Sequence, residues 1–282
     1  MHRSGIEEAT YKDDSLNIHY YKGGDGPPLL FLHGFGGDAM LSWKKYLKKF
    51  SKEYTVIAPD ILWFGESSGN VEPNLENQAA AMHKLMDHLE IEKVMVVGQS
   101  YGGFITLEMN RQKSKRIDYM VIVNSPGPTF DTAWIDTLLQ KQNAERIEDL
   151  FVFDDYQGVN RLMSFTYKHP KKLPKKLAQQ AFEKYFKPNS EQKRKLLRTL
   201  HQNAPKMIEF HKYRTFPSFV IWSDSDEIFP VSEGKRLADF LNAYFVVFKN
   251  IGHISILQKK NKGIRYLKKI IFAHARHSFS ED

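Results

Sequence analysis

The chain has 282 residues, 41% of them hydrophobic, 26% charged and 13% aromatic, a balance that excludes a disordered or fibrous protein and fits a globular one. It has no cysteine, which excludes a disulfide framework, a thiolate nucleophile and an iron–sulfur cluster. The formal charge of +8 points to anionic partners, yet Arg161 to Arg214 alone hold 15 Lys and Arg against Glu183, Glu191 and Glu209, so this segment carries +12 and the remainder −4.

The first residues, through Asp14, lack the apolar stretch of a signal peptide, and no run approaches the roughly 18 apolar residues of a membrane span; the sequence reads as soluble and cytoplasmic. From Leu29 onward, short apolar runs alternate with amphipathic stretches, which predicts a largely parallel sheet covered by helices on both faces. Leu29 to Leu32 reads as the first buried strand, and it leads into His33-Gly34-Phe35-Gly36-Gly37. Glycines there let backbone come close to a reacting group, so the N–H of Phe35 is a candidate oxyanion donor, while His33 reads as a structural brace.

Thr55 to Ala58 is the next strand, and Pro73 to Leu89 reads as a helix with Leu75, Met82, Leu85, Met86 and Leu89 on one stripe. Lys93 to Val97 then runs into Gly98-Gln99-Ser100-Tyr101-Gly102, followed by a helix over Gly102 to Arg111. A G-x-S-x-G between strand and helix is the context in which the serine serves as a nucleophile: the sharp turn needs small residues at 98 and 102, and it lifts the Ser100 hydroxyl to the helix N-terminus. The N–H of Tyr101 is the second candidate oxyanion donor. Tyr119 to Val123 completes this run of strands.

After Pro126 the alternation lapses until about Pro217, and the basic stretch between is helix-like and broken by Pro170, Pro174, Pro188 and Pro205. The rhythm resumes with Ser218 to Trp222 as strand, Val231 to Leu241 as helix, Tyr244 to Phe248 as strand and Lys262 to His274 as helix. The organisation is therefore a core of residues 1–126 and 216–282 with a helical cap insertion at 127–215.

Several carboxylates follow Trp222. Asp224 suits a turn directly after the strand, whereas Asp226 lies deeper in the loop and is preferred as the acid that orients a base. This acidic run is not a calcium loop, because Lys235 stands at the twelfth position from Asp224. His253, behind Gly252 and after the last strand, is the candidate base; His201 and His211 fall in the basic insertion and His274 and His277 in the terminal helix, where a solvated histidine is the default. The order Ser100, Asp226, His253 is that of one serine-hydrolase architecture.

With these motifs in this order, the chain resembles the α/β-hydrolase superfamily from about Leu29 to its last helix. Asp60, Gly65 and Ser67 resemble the family's D-x-x-G-x-G-x-S turn, with Trp63 at a usual glycine, where it could form part of a pocket wall, and Ser223 at the common glycine before the acid. Serine at the elbow argues against the aspartate-dependent epoxide hydrolases and haloalkane dehalogenases, and Gly37 stands where carbon–carbon bond hydrolases have proline. The His33-Gly34-Phe35 start and the helical insertion look most like monoacylglycerol-lipase and carboxylesterase members. The resemblance implies a serine hydrolase acting on a small-molecule ester without metal or other cofactor. Alternatives are a carbon–carbon bond hydrolase of the same fold and a non-catalytic small-molecule receptor. Nucleic acid is not expected as a partner, since no binding motif accompanies the basic segment; peripheral contact of the cap with an anionic membrane surface is the reading of that charge. Nothing in the sequence fixes an oligomeric state.

Overall fold

The computed structural model describes residues 5–129, 132–207 and 218–278. In chain order its elements are β1 (Ile6–Lys12), β2 (Leu16–Gly23), β3 (Pro28–Leu32), α1 (Ala39–Phe50), β4 (Thr55–Pro59), β5 (Ser68–Gly69), α2 (Leu75–His88), β6 (Val94–Gln99), α3 (Tyr101–Lys113) and β7 (Ile117–Val123). Then come α4 (Thr132–Gln142), α5 (Ile147–Phe151), α6 (Gln157–Thr166), α7 (Lys175–Ala181), α8 (Ser190–Met207), β8 (Ser218–Ser223), α9 (Val231–Leu241), β9 (Tyr244–Phe248), α10 (Ser255–Gln258) and α11 (Lys260–Ser278).

The strands form one sheet in the order β1-β2-β4-β3-β6-β7-β8-β9, with β5 beside β2. From β4 to β9 every pairing is parallel, while β1 and β2 run antiparallel at one edge. The chain leaves β3 toward β4 on one side and later returns to place β6 on the other. This is the reversal of strand order at which open α/β sheets bind ligands, in the crevice beyond the strands' carboxyl ends.

The parallel strands are apolar on both faces because both are covered. Leu30 and Leu32 enter the layer shared with α2, α3 and α9, whereas Leu29 and Phe31 enter the layer shared with α1 and α11. α2 is started by the Asn74 side chain, which accepts from the Asn77 N–H at 2.8 Å. The first two strands and α1 are elements that the sequence pattern did not announce. β1 is solvent-facing at four of its seven positions, exposed or nearly so, which leaves an apolar alternation too thin to read.

Between β7 and β8 the described chain makes five α-helices, with a π-helical turn over Phe182–Phe186, and they hold an apolar cluster of their own around Leu150, Phe153, Leu162, Phe165 and Phe182. Ile228, from the loop after β8, joins that cluster and ties it to the sheet. The boundary expected at 215/216 and His211 lie outside the described residues, as do the side chains of His201, His274 and His277. No helix of the described residues is long and apolar enough to cross a membrane.

Candidate active site

Ser100 sits at the joint between β6 and α3 with φ 52° and ψ −119°, a left-handed conformation that costs a non-glycine residue on the order of 1–3 kcal/mol. The neighbours make that turn possible by being small. A Cβ on Gly98 would lie 2.5 Å from the Gly102 carbonyl oxygen, and one on Gly102 would lie 2.3 Å from the Leu32 carbonyl oxygen. The backbone bonds Ser100 N–H to Val123 O at 2.9 Å and Gly103 N–H to Ser100 O at 2.8 Å then pin the joint.

Three side chains from three loops meet there. His253 Nε2 lies 2.8 Å from Ser100 Oγ, and His253 Nδ1 lies 2.9 Å from Asp226 Oδ2. An ionised carboxylate only accepts, so Nδ1 carries the proton and Nε2 is left to accept from the serine hydroxyl. Asp226 is buried and takes four donors: His253 Nδ1–H and Asn124 Nδ2–H on Oδ2, at 2.9 and 2.8 Å, and the Ile228 and Phe229 N–H groups on Oδ1, at 2.9 and 3.0 Å. Such a set offsets the cost of burying the charge.

Asp224 faces elsewhere. Its Oδ1 accepts from the N–H groups of Asn250 and Ile251 at 2.8 and 3.4 Å and from Ser225 Oγ at 2.9 Å, bracing the turn that delivers His253. Burial works against its ionised form, but these bonds and the Lys168 charge hold the carboxyl below its usual range.

Asn124 is a site residue that no sequence motif announced. It follows β7 at φ 49° and is fully buried; beside its bond to Asp226, its amide donates to Ser223 Oγ at 2.9 Å and accepts from Ser255 Oγ at 2.6 Å. A residue directly after a buried strand whose side chain can tolerate positive φ was the available signal. Asn124→Gly keeps the backbone conformation and deletes the amide. We expect kcat for hydrolysis to fall about tenfold to a hundredfold with KM held, the scale of one charge-assisted hydrogen bond, as steady-state kinetics would show.

His33 is fully buried, with Nε2 accepting from the Ile61 N–H at 3.1 Å and Nδ1 donating to Gly34 O at 2.8 Å. Burial lowers its pKa, in keeping with a neutral ring. Gly34 lies hard against the elbow, since a Cβ there would be 3.0 Å from the Ser100 Cβ. Phe35 and Tyr101 are brought together with Ser100 in one cavity wall, their rings 5.9 Å apart. Trp63 is not in that wall: its ring belongs to the apolar layer below, its φ of 67° explains why glycine is usual at this turn, and its carbonyl accepts from Asn189 Nδ2 at 3.2 Å.

The cavity is narrow: the space between its walls is about 590 Å³ with the open mouth included, of which about 50 Å³ is free for water-sized groups. Its lining combines Tyr101 and Phe104 of the core with Trp134 and Phe151 from α4 and α5 and Leu197 and Leu200 from α8. No charged residue lines it among the described residues. Away from it, Glu8, His19 and Glu66 present their ligand atoms within 4.8 Å of one another. His19 is also bonded to Asp60 at 2.8 Å, and first Asp60 and then Glu8, against burial, raise its pKa to about 9; an imidazolium occupies that cluster at neutral pH.

A family model described as the alpha/beta hydrolase fold matches residues 27–260. The chain is 31% identical over 148 residues to 2-hydroxymuconate semialdehyde hydrolase of Pseudomonas sp. (strain CF600), covering 49% of this chain and 52% of that one. To Lipase 1 of Psychrobacter immobilis it is 24% identical over 241 residues, covering 83% and 73%. The first curated relatives it matches are spanned over only 35 to 52% of their own length. Among solved structures, a candidate lipase from Acinetobacter baumannii AYE superposes with a TM-score of 0.83 at 23% identity, over 97% of this chain and 93% of that one.

Proposed function

The chain belongs to the α/β-hydrolase family, and on that premise we propose that it is a serine hydrolase that cleaves lipophilic carboxylic esters through an acyl-enzyme on Ser100. The observation that carries this reading is the continuous chain Asp226–His253–Ser100, at 2.9 and 2.8 Å, opening into an uncharged cavity. His253 takes the Ser100 proton as Oγ attacks the ester carbonyl. The N–H groups of Phe35 and Tyr101 receive the developing oxyanion, and His253 returns the proton to the departing alcohol. Water, activated by the same imidazole, then releases the acid. The chain's own residues complete this cycle without a metal or organic cofactor.

A second reading, carbon–carbon bond cleavage, draws on the relative named for a semialdehyde hydrolase. A substrate bearing a carboxylate would need a cationic partner inside the site, and none lines the cavity among the described residues. The apolar wall therefore favours a neutral ester. We further propose that residues 127–215 act as a lid whose cationic outer face meets anionic interfaces, with no part for nucleic acid.

The test is hydrolysis of p-nitrophenyl and monoacylglycerol esters of graded acyl length. We expect kcat/KM to climb with chain length as each added CH₂ enters the cavity, by about fourfold per CH₂ at ~0.8 kcal/mol, until the wall is filled. Turnover of an anionic dienoate ketone above that of every ester would shift the assignment to the second reading.

A further inference from the structure

Folding assembles a second basic surface that a count along the chain hides. The stretch 39–52 has five lysines and no acid, and the stretch 249–278 has eight Lys and Arg and no acid. Some two hundred residues apart, they are neighbours in space because α1 and α11 cover the same face of the sheet. Tyr46 donates its hydroxyl to Ile256 O at 2.5 Å, and Lys260 Nζ donates to Leu41 O at 3.3 Å. Lys45, Lys259, Lys260, Lys262 and Arg265 line one open cleft there, and none of the five pairs with a carboxylate among the described residues.

This arrangement works against the fold itself. α11 begins in the cleft with no acidic residue in its first turn, and cations at a helix N-terminus oppose its dipole. Burial and then Lys45 depress the Lys260 pKa. An anionic partner would offset the repulsion among these charges and with the helix dipole.

The elements that form the cleft are joined in the chain to the loops of the site. Asp38, which starts α1 directly after the Phe35 loop, lies 3.8 Å from Lys184 of the insertion, and the loop that leads into α10 and α11 carries His253. A Cβ on Gly252 would lie 2.5 Å from Thr166 O and 2.7 Å from Lys168 N, so the insertion presses on that loop too. On the insertion side, Lys171, Lys172, Lys175 and Lys176 are exposed around Leu177; on the α1 side, Lys44 and Lys45 stand near Leu41. Leu177 and Leu41 are each 50% exposed.

We propose that α1 and the start of α11 are the second half of a docking surface for an anionic phospholipid bilayer, completing the footprint begun by the insertion and seating the cavity mouth on the lipid. Cations with apolar side chains standing among them suit a leaflet, where the charges meet headgroups and Leu41 and Leu177 enter the acyl boundary. A nucleic acid would be served instead by aromatic platforms, which the cleft lacks. The inference rests on the lid reading of the insertion, but not on turnover.

The experiment is co-sedimentation of the full chain with vesicles of equal parts phosphatidylglycerol and phosphatidylcholine, beside pure phosphatidylcholine. The quadruple variant Lys45→Gln, Lys259→Gln, Lys262→Gln, Arg265→Gln is expected to bind the anionic vesicles about tenfold or more weakly. It should keep its hydrolysis of a short soluble p-nitrophenyl ester and melt near the parent, since none of the four side chains pairs with a carboxylate among the described residues. Added salt should weaken the parent's binding. Unchanged binding by this variant overturns the proposal, and if charge reversal at Lys171, Lys172, Lys175 and Lys176 then abolishes binding, the lid reading survives without it. Equal binding to pure phosphatidylcholine, or tighter binding to duplex RNA than to the anionic vesicles at physiological salt, also overturns it.

Discussion

Ser100→Ala is expected to lower kcat for ester hydrolysis by about 10⁶ and to abolish labelling by a fluorophosphonate, while leaving the thermal melt where it was. The size follows from what is removed. Oγ is the atom that would form the acyl bond, and it is also the donor to His253 Nε2 at 2.8 Å, so the variant loses nucleophile and proton source together. The backbone has no reason to move, because the bonds to Val123 O and from Gly103 N–H involve only main-chain atoms and alanine accepts the same turn. Residual rate of about 10³ over water would come from the N–H donors and from binding. Labelling that persists at full extent would assign the nucleophile to another side chain, and mass mapping of the labelled peptide would name it.

The largely parallel sheet was legible because each core strand is buried on both faces, and continuous apolar runs such as Leu29 to Leu32 are hard to mistake. β1 was not, since a mostly solvent-facing edge strand such as Ile6–Lys12 shows one buried residue in seven. α1 hid behind its charges: Lys44, Lys45, Lys48 and Lys49 interrupt Trp43, Tyr46, Leu47 and Phe50, whose spacing forms an apolar stripe only once the period of a helix is imposed. At the site, motifs with a fixed local geometry were readable and long-range bonds were not. Gly98 to Gly102 describe their own turn, but the bond from Asn124 to Asp226 spans 102 residues and has no trace in either neighbourhood. Charge obeys the same limit. The +12 of residues 161–214 is a local run and shows along the chain, whereas the cations of α1 and α11 become one surface only after the sheet has folded between them.

Asp226→Asn is expected to lower kcat by about 10⁴, whereas Asp224→Asn should leave it within about threefold. The carboxylate at 226 accepts on both oxygens, and an amide has only one acceptor to offer. If the oxygen of the new amide keeps the Ile228 and Phe229 N–H groups, its NH₂ meets His253 Nδ1 and the ring must turn into the other tautomer. Nε2 then carries the proton and can no longer accept from Ser100, which removes the base. If the oxygen instead faces His253, the NH₂ is buried against two backbone donors, at the cost of unsatisfied groups on the order of 1–3 kcal/mol each. Both orientations lose activity, the first through chemistry and the second through displacement of the loop. At 224 the amide oxygen can go on accepting from Asn250 and Ile251 with no donor forced against it, so the His253 turn stays in place. Steady-state kinetics on the two variants with a single p-nitrophenyl ester separates these outcomes, and a loss confined to Asp224→Asn would transfer the orienting role to that residue.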